Sequence, residues 1–474
     1  MLLLYSCLFA ALAYAQVLVQ NVTFNSDYHL SPAQIKAANL SSALVQQVQV
    51  ALNFERSNNA GNLTQNDPFY FLPDGVTRSN LPPPGSILKV EEYTNTTYYT
   101  FPPSLSLSRF LYVSESYNGS RVPVSAYVLW PFTPRKFRGL KACSGSSNTV
   151  YPVIGQAHGT TGQTQACAPS NLRALADAYY EPFTMALNGY AVVAPDYAGL
   201  GIPQSPTPYF VFPSHANDLF HAVAAAQSQW PTLLSKSFVL TGQSQGGGTA
   251  WSAAQRQVKR PVPGYLGTLA ASPFTNILAA ISGEDQTQVN VRVVGIAQGL
   301  DSVLANFTAS QWLTPIAIAR LALLRELKGC SGTANQLFSS KQGIDFLQPG
   351  WNETDGAAWY ARNIRNGAQP FAGPMLVIQG TTDGNAIESV TTAAVNQTCQ
   401  MYPKARLQYT RYTGVGHSQV MPAGQNEWLG WISDRFEGKR QRDGCELAVV
   451  GPVRDAASVV KAQNWFIEYN QYGI

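Results

Sequence analysis

The sequence predicts an α/β fold built on a mostly parallel central sheet with helices on both faces. Three observations carry this. Short apolar runs recur without polar alternation, as in Tyr190-Ala191-Val192-Val193-Ala194-Pro195 and Met375-Leu376-Val377-Ile378. A strand apolar on both faces is one covered on both faces. Segments of helical periodicity separate these runs, and that alternation is the pattern of a parallel sheet. One run, Phe238-Val239-Leu240-Thr241, leads directly into Gly242-Gln243-Ser244-Gln245-Gly246 and then Ala250, Trp251, Ala253 and Ala254. That is a strand, a tight turn and a helix, with a serine at the apex.

Composition agrees with a globular chain. Apolar residues make up 45% and charged residues 12% of 474 positions, enough to bury a large core. The net charge of +4 is small and no basic run occurs, so nucleic acid is not an expected partner. Residues 1–15 are apolar, uncharged in their side chains, and end in Ala13-Tyr14-Ala15. They read as a secretory signal peptide cut before Gln16. A membrane anchor needs about 20 apolar residues, and Asn21 and Asn25 arrive too soon. No later stretch is long and apolar enough, so stable membrane insertion is not expected.

A secreted location is supported by sequons at Asn21, Asn39, Asn62, Asn95, Asn118, Asn306, Asn352 and Asn396. Removing Cys7 with the signal leaves Cys143, Cys167, Cys330, Cys399 and Cys445. An odd count in an oxidising compartment predicts two disulfides and one free thiol. No cysteine pair is spaced as C-x-x-C, so no metal or other cofactor is expected.

Along the chain, residues 16–104 are polar and turn-rich and read as an N-terminal extension, with a helix over 33–54. The core's first part spans 105–272. It opens with β-rich runs at 110–117 and 122–131 around Asn118-Gly119, a hairpin signal. Pro123 suggests an edge position. Strands follow at 151–157, 190–195 and 264–271, with helices over 171–187 and 217–230. Residues 273–370 break the rhythm, with apolar helices over 303–307 and 312–327. They read as an inserted helical cap or as ordinary core helices. As a cap they would present an apolar pocket over the serine. The core resumes over 371–440 with a strand at 375–380, a helix over 386–400, a last strand at 407–412 and a helix over 426–436. Residues 441–474 are a tail able to form a strand or flap.

Chemistry enters at Ser244. Gly-x-Ser-x-Gly is the form of a nucleophile elbow: the serine sits on a strained turn, and the flanking glycines remove side chains that would collide with the neighbouring strand and helix. A serine hydroxyl needs a base. Of His29, His158, His215, His221 and His417, only His417 lies in a glycine-bracketed loop after a late strand, Thr413-Gly414-Val415-Gly416-His417-Ser418. The base needs a carboxylate to hold its tautomer. Asp383, in Gly380-Thr381-Thr382-Asp383-Gly384, follows the preceding strand, where catalytic groups of open sheets gather. Glu388 is the alternative acid, Asp383-Gly384 could be a simple turn, and Asp196 would break the order. The order Ser, Asp, His is that of α/β-hydrolases. An oxyanion needs backbone donors. Gln245, next after the serine, supplies one. The other falls to Thr160 or Thr161 in Ala157-His158-Gly159-Thr160-Thr161-Gly162, with His158 orienting the turn.

Taken together, His158-Gly159-Thr160-Thr161-Gly162, Cys167-Ala168-Pro169-Ser170, Ala194-Pro195-Asp196-Tyr197-Ala198-Gly199-Leu200-Gly201 and Gly242-Gln243-Ser244-Gln245-Gly246-Gly247 resemble the secretory lipase family, the fungal lipase A type. The likeness covers roughly residues 105–440; the long N-terminal extension is less typical. It implies an α/β-hydrolase fold, a helical cap, no metal, and a triad of Ser244, Asp383 and His417. By the same resemblance Cys167 would pair with Cys330.

The expected function is therefore a secreted serine hydrolase of carboxylic esters, a lipase or carboxylesterase, with a small-molecule or lipid ester as substrate and transient contact at a lipid interface. Acyl transfer through the same triad is the alternative. A peptidase and a non-catalytic hydrolase-fold binding protein stand behind it.

Overall fold

Asn118-Gly119 turns the chain between strands β2 (Ser106–Glu115) and β3 (Arg121–Trp130), with Gly119 at φ 82°. Asn-Gly suits this tight reversal because the turn needs a positive φ. The structure, a computed structural model, describes residues 26–145, 149–203, 205–281 and 285–459. The expected signal peptide, the sequon at Asn21 and the tail beyond 459 lie outside the described residues.

Ten strands form one sheet among the described residues. The others are β1 (Ile87–Glu91), β4 (Tyr151–Ala157), β5 (Ala191–Pro195), β6 (Leu234–Gln243), β7 (Tyr265–Ala271), β8 (Met375–Gly380), β9 (Leu407–Tyr412) and β10 (Cys445–Val450). The order is β1-β2-β3-β5-β4-β6-β7-β8-β9-β10. Pairs from β1 to β5 along this order are antiparallel, and all the rest are parallel. The chain is an α/β-hydrolase in fold.

Successive residues of the central strands enter opposite cores. Val153, Val193 and Leu240 pack with Leu219, Phe220 and Val223 of the helix Phe212–Gln229. Ile154, Val192 and Val239 pack with Phe183, Trp428 and Ile432 on the other face. Each buried aliphatic side chain contributes roughly 1.5–3 kcal/mol of transfer free energy. This explains the continuous apolar runs.

Strand order reverses at β4. Its neighbour on one side is β5 and on the other β6, with Ala157 beside Gly242. The loops after β4 and β6 therefore leave the sheet side by side, at the kind of switch point where open α/β sheets bind ligands. β8 and β9 pair in register from Met375–Leu407 to Gly380–Tyr412, which brings the loops bearing Asp383 and His417 together.

Several expectations are corrected. Residues 171–187 are not one helix. They form short 3-10 turns, Pro169–Asn171 and Ala178–Tyr180, and a helix Pro182–Leu187. Leu175, Ala176 and Ala178 have positive φ. This irregular backbone lets Asp177 and Glu181 reach Gln156 of β4. β3 is interior, although Pro123 suggested an edge; β5 pairs only with Ala126–Leu129, so Pro123 has a strand on one side alone. The strand at 407–412 is not the last, because the tail adds β10 parallel to it. Residues 303–307 are the end of a longer helix, Gln286–Val303, followed by turn. Residues 312–314 lie outside the next helix, Pro315–Leu327, whose first position is the proline.

The stretch read as an N-terminal extension holds two helices where one was expected, Pro32–Ala37 and Ser42–Ser57, each N-capped by a serine, Ser31 and Ser41. It also supplies β1 to the sheet. Between β7 and β8 the chain is mainly helical. Val293, Leu300, Trp312 and Leu321 of this segment share a core with Leu44, Val48 and Leu52 of Ser42–Ser57. Glu55 accepts hydrogen bonds from the Cys330 N–H at 2.8 Å and the Thr333 N–H at 2.8 Å. No helix of the described residues is long and apolar enough to cross a membrane.

Candidate active site

Ser244 stands between β6 and the helix Gln245–Lys259 with φ 62° and ψ −121°. A non-glycine residue in that region is strained and is held there by its surroundings. The surroundings are tight: a Cβ at Gly242 would collide with the Gly246 carbonyl, and one at Gly246 with the Ala157 carbonyl. Glycine at both positions is thus a steric requirement of the turn.

The structure brings Ser244, His417 and Asp383 together. His417 Nε2 lies 2.7 Å from Ser244 Oγ, and His417 Nδ1 lies 2.9 and 2.8 Å from the two oxygens of Asp383. Asp383 also accepts from the Asn385 and Ala386 N–H groups at 2.9 Å each and from Gln379 Nε2 at 2.9 Å. Burial pushes this carboxyl up. The charge and hydrogen bond of His417, with the other donors, outweigh it and hold the group below the ordinary aspartate value. Asp383 is thus an anion positioned to fix the Nδ1–H tautomer, which leaves Nε2 free to accept the serine proton.

The other candidates fall elsewhere. Glu388 is bound to Thr392 and Arg411. Asp196 is buried among Ser125 and Ser170 and pushed up to about 6 by burial. His29 is exposed, His215 is buried against Tyr197, and His221 is half-buried and pushed down to about 4. His158 is buried beneath the loop after β4. Its ring nitrogens face the Gly159 carbonyl at 2.6 Å and the Asp196 carbonyl at 3.1 Å, and its ring stacks on Tyr197. Burial drives it down to about 4.

Thr160 and Thr161 differ in what they face. The Thr160 hydroxyl donates to Gln245 Oε1 at 3.1 Å, across the gap beside Ser244. The Thr161 carbonyl accepts from the Ser331 N–H at 3.2 Å, toward the helical segment. Gly159 N–H donates to Asp177 Oδ2 at 3.1 Å, and Gln156 joins Asp177 to Glu181. Both carboxyls are pushed up by burial, Asp177 to about 6.

Cys167 and Cys330 form a disulfide from the loop after β4 to the helical segment. Cys399 and Cys445 form a second, joining the helix Glu388–Met401 to β10, and Cys143 is free. The sequon residues Asn39, Asn62, Asn95, Asn118, Asn306, Asn352 and Asn396 are all exposed.

Sequence reasoning missed three groups here. Gln243 Nε2 donates to the His417 carbonyl at 3.2 Å. Phe274 places its ring 6.1 Å from that of His417 and 5.5 Å from Phe210, with the Arg292 guanidinium 4.5 Å over it. Asp177 supports Gly159 from a stretch expected to be helix. Only Gln243 carried a signal, as a long polar side chain beside the serine.

The strand order is that of the α/β-hydrolase fold, and at its strand ends Ser244, His417 and Asp383 form one chain of contacts. Among solved structures the chain is similar to lipase A of Candida antarctica in its closed state, with a TM-score of 0.64 at 14% identity, over 85% of this chain and 93% of that one. It is also similar to the rice cell wall degrading esterase LipA of Xanthomonas oryzae, with a TM-score of 0.56 at 19% identity, over 76% and 100%. A putative hydrolase of Legionella pneumophila follows at 0.56 and 14%, over 75% and 99%. At such identities the likeness is one of fold. No family model matches the chain, and no curated protein matches it in sequence.

Proposed function

We propose that this chain is a secreted carboxylic-ester hydrolase working through Ser244, His417 and Asp383. The observation that supports it most is the unbroken contact from Asp383 through His417 to Ser244 Oγ, at 2.8 and 2.7 Å. His417 takes the proton of Ser244 as its oxygen attacks the ester carbonyl. The tetrahedral oxyanion is held by backbone N–H groups of Gln245 and of the Thr160 turn. His417 then protonates the departing alcohol, and an acyl-enzyme remains on Ser244. Water, activated by His417, attacks it and regenerates the serine. Asp383 keeps the imidazole oriented and stabilises its charged form.

An acyl ester suits the surroundings. The buried rings of Phe274 and Phe210 pack beside His417, and Ser244 is only 7% exposed. Such a site strips water from an acyl group and from the reacting atoms. The likeness in fold to the Candida antarctica lipase and the Xanthomonas oryzae esterase favours the same substrate class. The low exposure of Ser244 also suits acyl transfer to an alcohol, which uses the same first half-reaction. Product ratios with and without an added alcohol separate the two.

The test is Ser244→Ala on a short acyl ester. Turnover should fall by about 10⁴-fold or more, with the thermal midpoint retained, and labelling by a fluorophosphonate should vanish. Near-wild-type turnover would exclude this mechanism. Rates across esters from acetyl to oleoyl then define the acyl chain.

A further inference from the structure

Ser244 is flanked by two glutamines, Gln243 and Gln245, that are both buried, at 6% and 3% exposure. Buried amides are costly to desolvate and must find partners. Each of these finds one on a different loop of the site.

We propose that Gln243 and Gln245 are positioning residues: the Gln243 amide holds the base loop, and the Gln245 amide holds the oxyanion loop. The two variable positions of the Gly-x-Ser-x-Gly turn would then set both loops relative to the nucleophile. This rests on the triad reading above.

Between β9 and Val420 the base loop is made of turns, without helix or strand. Gly414 and Gly416 bracket the approach to His417, and Gly414 sits at φ 71°. Its earlier residues are tied down through Gly414 N–H to Thr381 Oγ1 and Thr382 N–H to the Val415 carbonyl. At His417 itself the backbone is held by Gln243 Nε2, 3.2 Å from its carbonyl oxygen. Because Gln243 leaves β6 one residue before the serine, this bond measures the imidazole's place against Ser244 Oγ. The carbonyl end of the same amide points toward Gly159; a Cβ there would lie 3.5 Å from Gln243 Oε1. A shorter or apolar side chain would lose the donor.

The oxyanion loop, whose Thr161 carbonyl takes the Ser331 N–H, is held at two further points nearer the serine. Below, Gly159 N–H is bound to Asp177 Oδ2 at 3.1 Å. Above, the Thr160 hydroxyl is bound to Gln245 Oε1 at 3.1 Å. Gln245 thus carries a candidate oxyanion donor on its backbone and sets the partner loop with its side chain. Misplacing reacting groups by about 1 Å can cost about 100-fold in rate, so these amides act on turnover more than on affinity.

The experiment measures kcat, KM, fluorophosphonate labelling rate and thermal midpoint on the full chain. It uses Gln243→Met, Gln243→Glu, Gln245→Met, Thr160→Val and the Gln245→Met/Thr160→Val double variant, with Ser244→Ala as control. Gln243→Met keeps length and volume but removes the donor. It should lower kcat and labelling by about 10- to 100-fold, with KM within about twofold and the midpoint nearly unchanged. Gln243→Glu places an acceptor against the His417 carbonyl and should lose at least as much. Gln245→Met and Thr160→Val should each lower kcat, and the double variant should lose no more than the worse single. The proposal is overturned if either Gln243 variant folds and keeps kcat within about twofold while Ser244→Ala is inactive, or if the Gln245 and Thr160 effects simply multiply. An active Ser244→Ala would instead remove the triad reading itself.

Discussion

Asp196 and Asp383 occupy matching places in the sheet, each just past the carboxyl end of a strand, β5 and β8, and each almost wholly buried. Both collect several hydrogen bonds. Asp196 takes the hydroxyls of Ser125 and Ser170 and the Ser170 N–H. Asp383 takes two N–H groups, an amide and the imidazole of His417. Yet burial leaves Asp196 pushed up to about 6, whereas Asp383 stays below the ordinary aspartate value. Asp383 is slightly less buried and takes a hydrogen bond from an imidazole that can carry a charge, whereas the cation acting on Asp196, Arg109, does so without one. A strand-end carboxylate is therefore not an acid of a triad by position. It would become one through its partner, and the Asp196 side of the sheet shows what a similar position does without one: it ties the Ser125 hydroxyl of β3 to the hydroxyl and N–H of Ser170.

The sharpest way to test the contrast is Asp383→Asn. Its amide would favour the wrong imidazole tautomer, so kcat/KM should fall by about 10³- to 10⁴-fold, read on a short acyl ester. A fall under about tenfold would erase the distinction between the two aspartates.

The next effect is on stability. Asp218 belongs with Asp196: it is buried, bound to the Ser114 hydroxyl and the Ala198 N–H, and pushed up by burial to about 7. Its folded value lies above the unfolded one, so the folded state holds the extra proton between them. The stability it contributes is full below about pH 4 and is lost as pH rises through about 7. The advantage of wild type over Asp218→Asn in urea unfolding should therefore shrink by on the order of 2–4 kcal/mol from pH 4 to pH 8. Asp383 runs the other way: its contribution is present above the unfolded value and is lost as pH falls through its lower folded value. An advantage of wild type over Asp218→Asn that grew with pH would contradict the assignment.

The smallest effects should come from acids outside the proposed triad. Glu388→Gln, which touches Thr392 and Arg411, should leave kcat/KM within about twofold. Asp196→Asn retains an acceptor for Ser170 and should stay within about threefold. Either variant losing as much as Asp383→Asn would reopen the choice of acid.

The strand runs at 151–157, 190–195 and 375–380 were legible because parallel strands buried on both faces need unbroken apolar sequence, and the observed strands fall within one residue of them. The elbow was legible because its glycines answer steric demands a few residues apart. The helix expected over 171–187 was misread because apolar periodicity there does not register that Asp177 and Glu181 must point inward to Gln156. β10 was hard to see because its residues remain largely exposed, so no alternation marks it. The disulfide between Cys167 and Cys330 came from family likeness, since five cysteines leave the pairing open.

By itself the sequence determined the class of fold, the turn at Ser244 and the chain order of Ser244, Asp383 and His417, because each follows from periodicity or from contacts within a few residues. Only the folded chain decided which carboxylate meets His417, that Thr160 rather than Thr161 faces Gln245, and what the glutamines beside the serine touch. Those outcomes depend on strand order and register, which join residues far apart in the chain, and hydrogen bonds over such separations leave no mark on local composition.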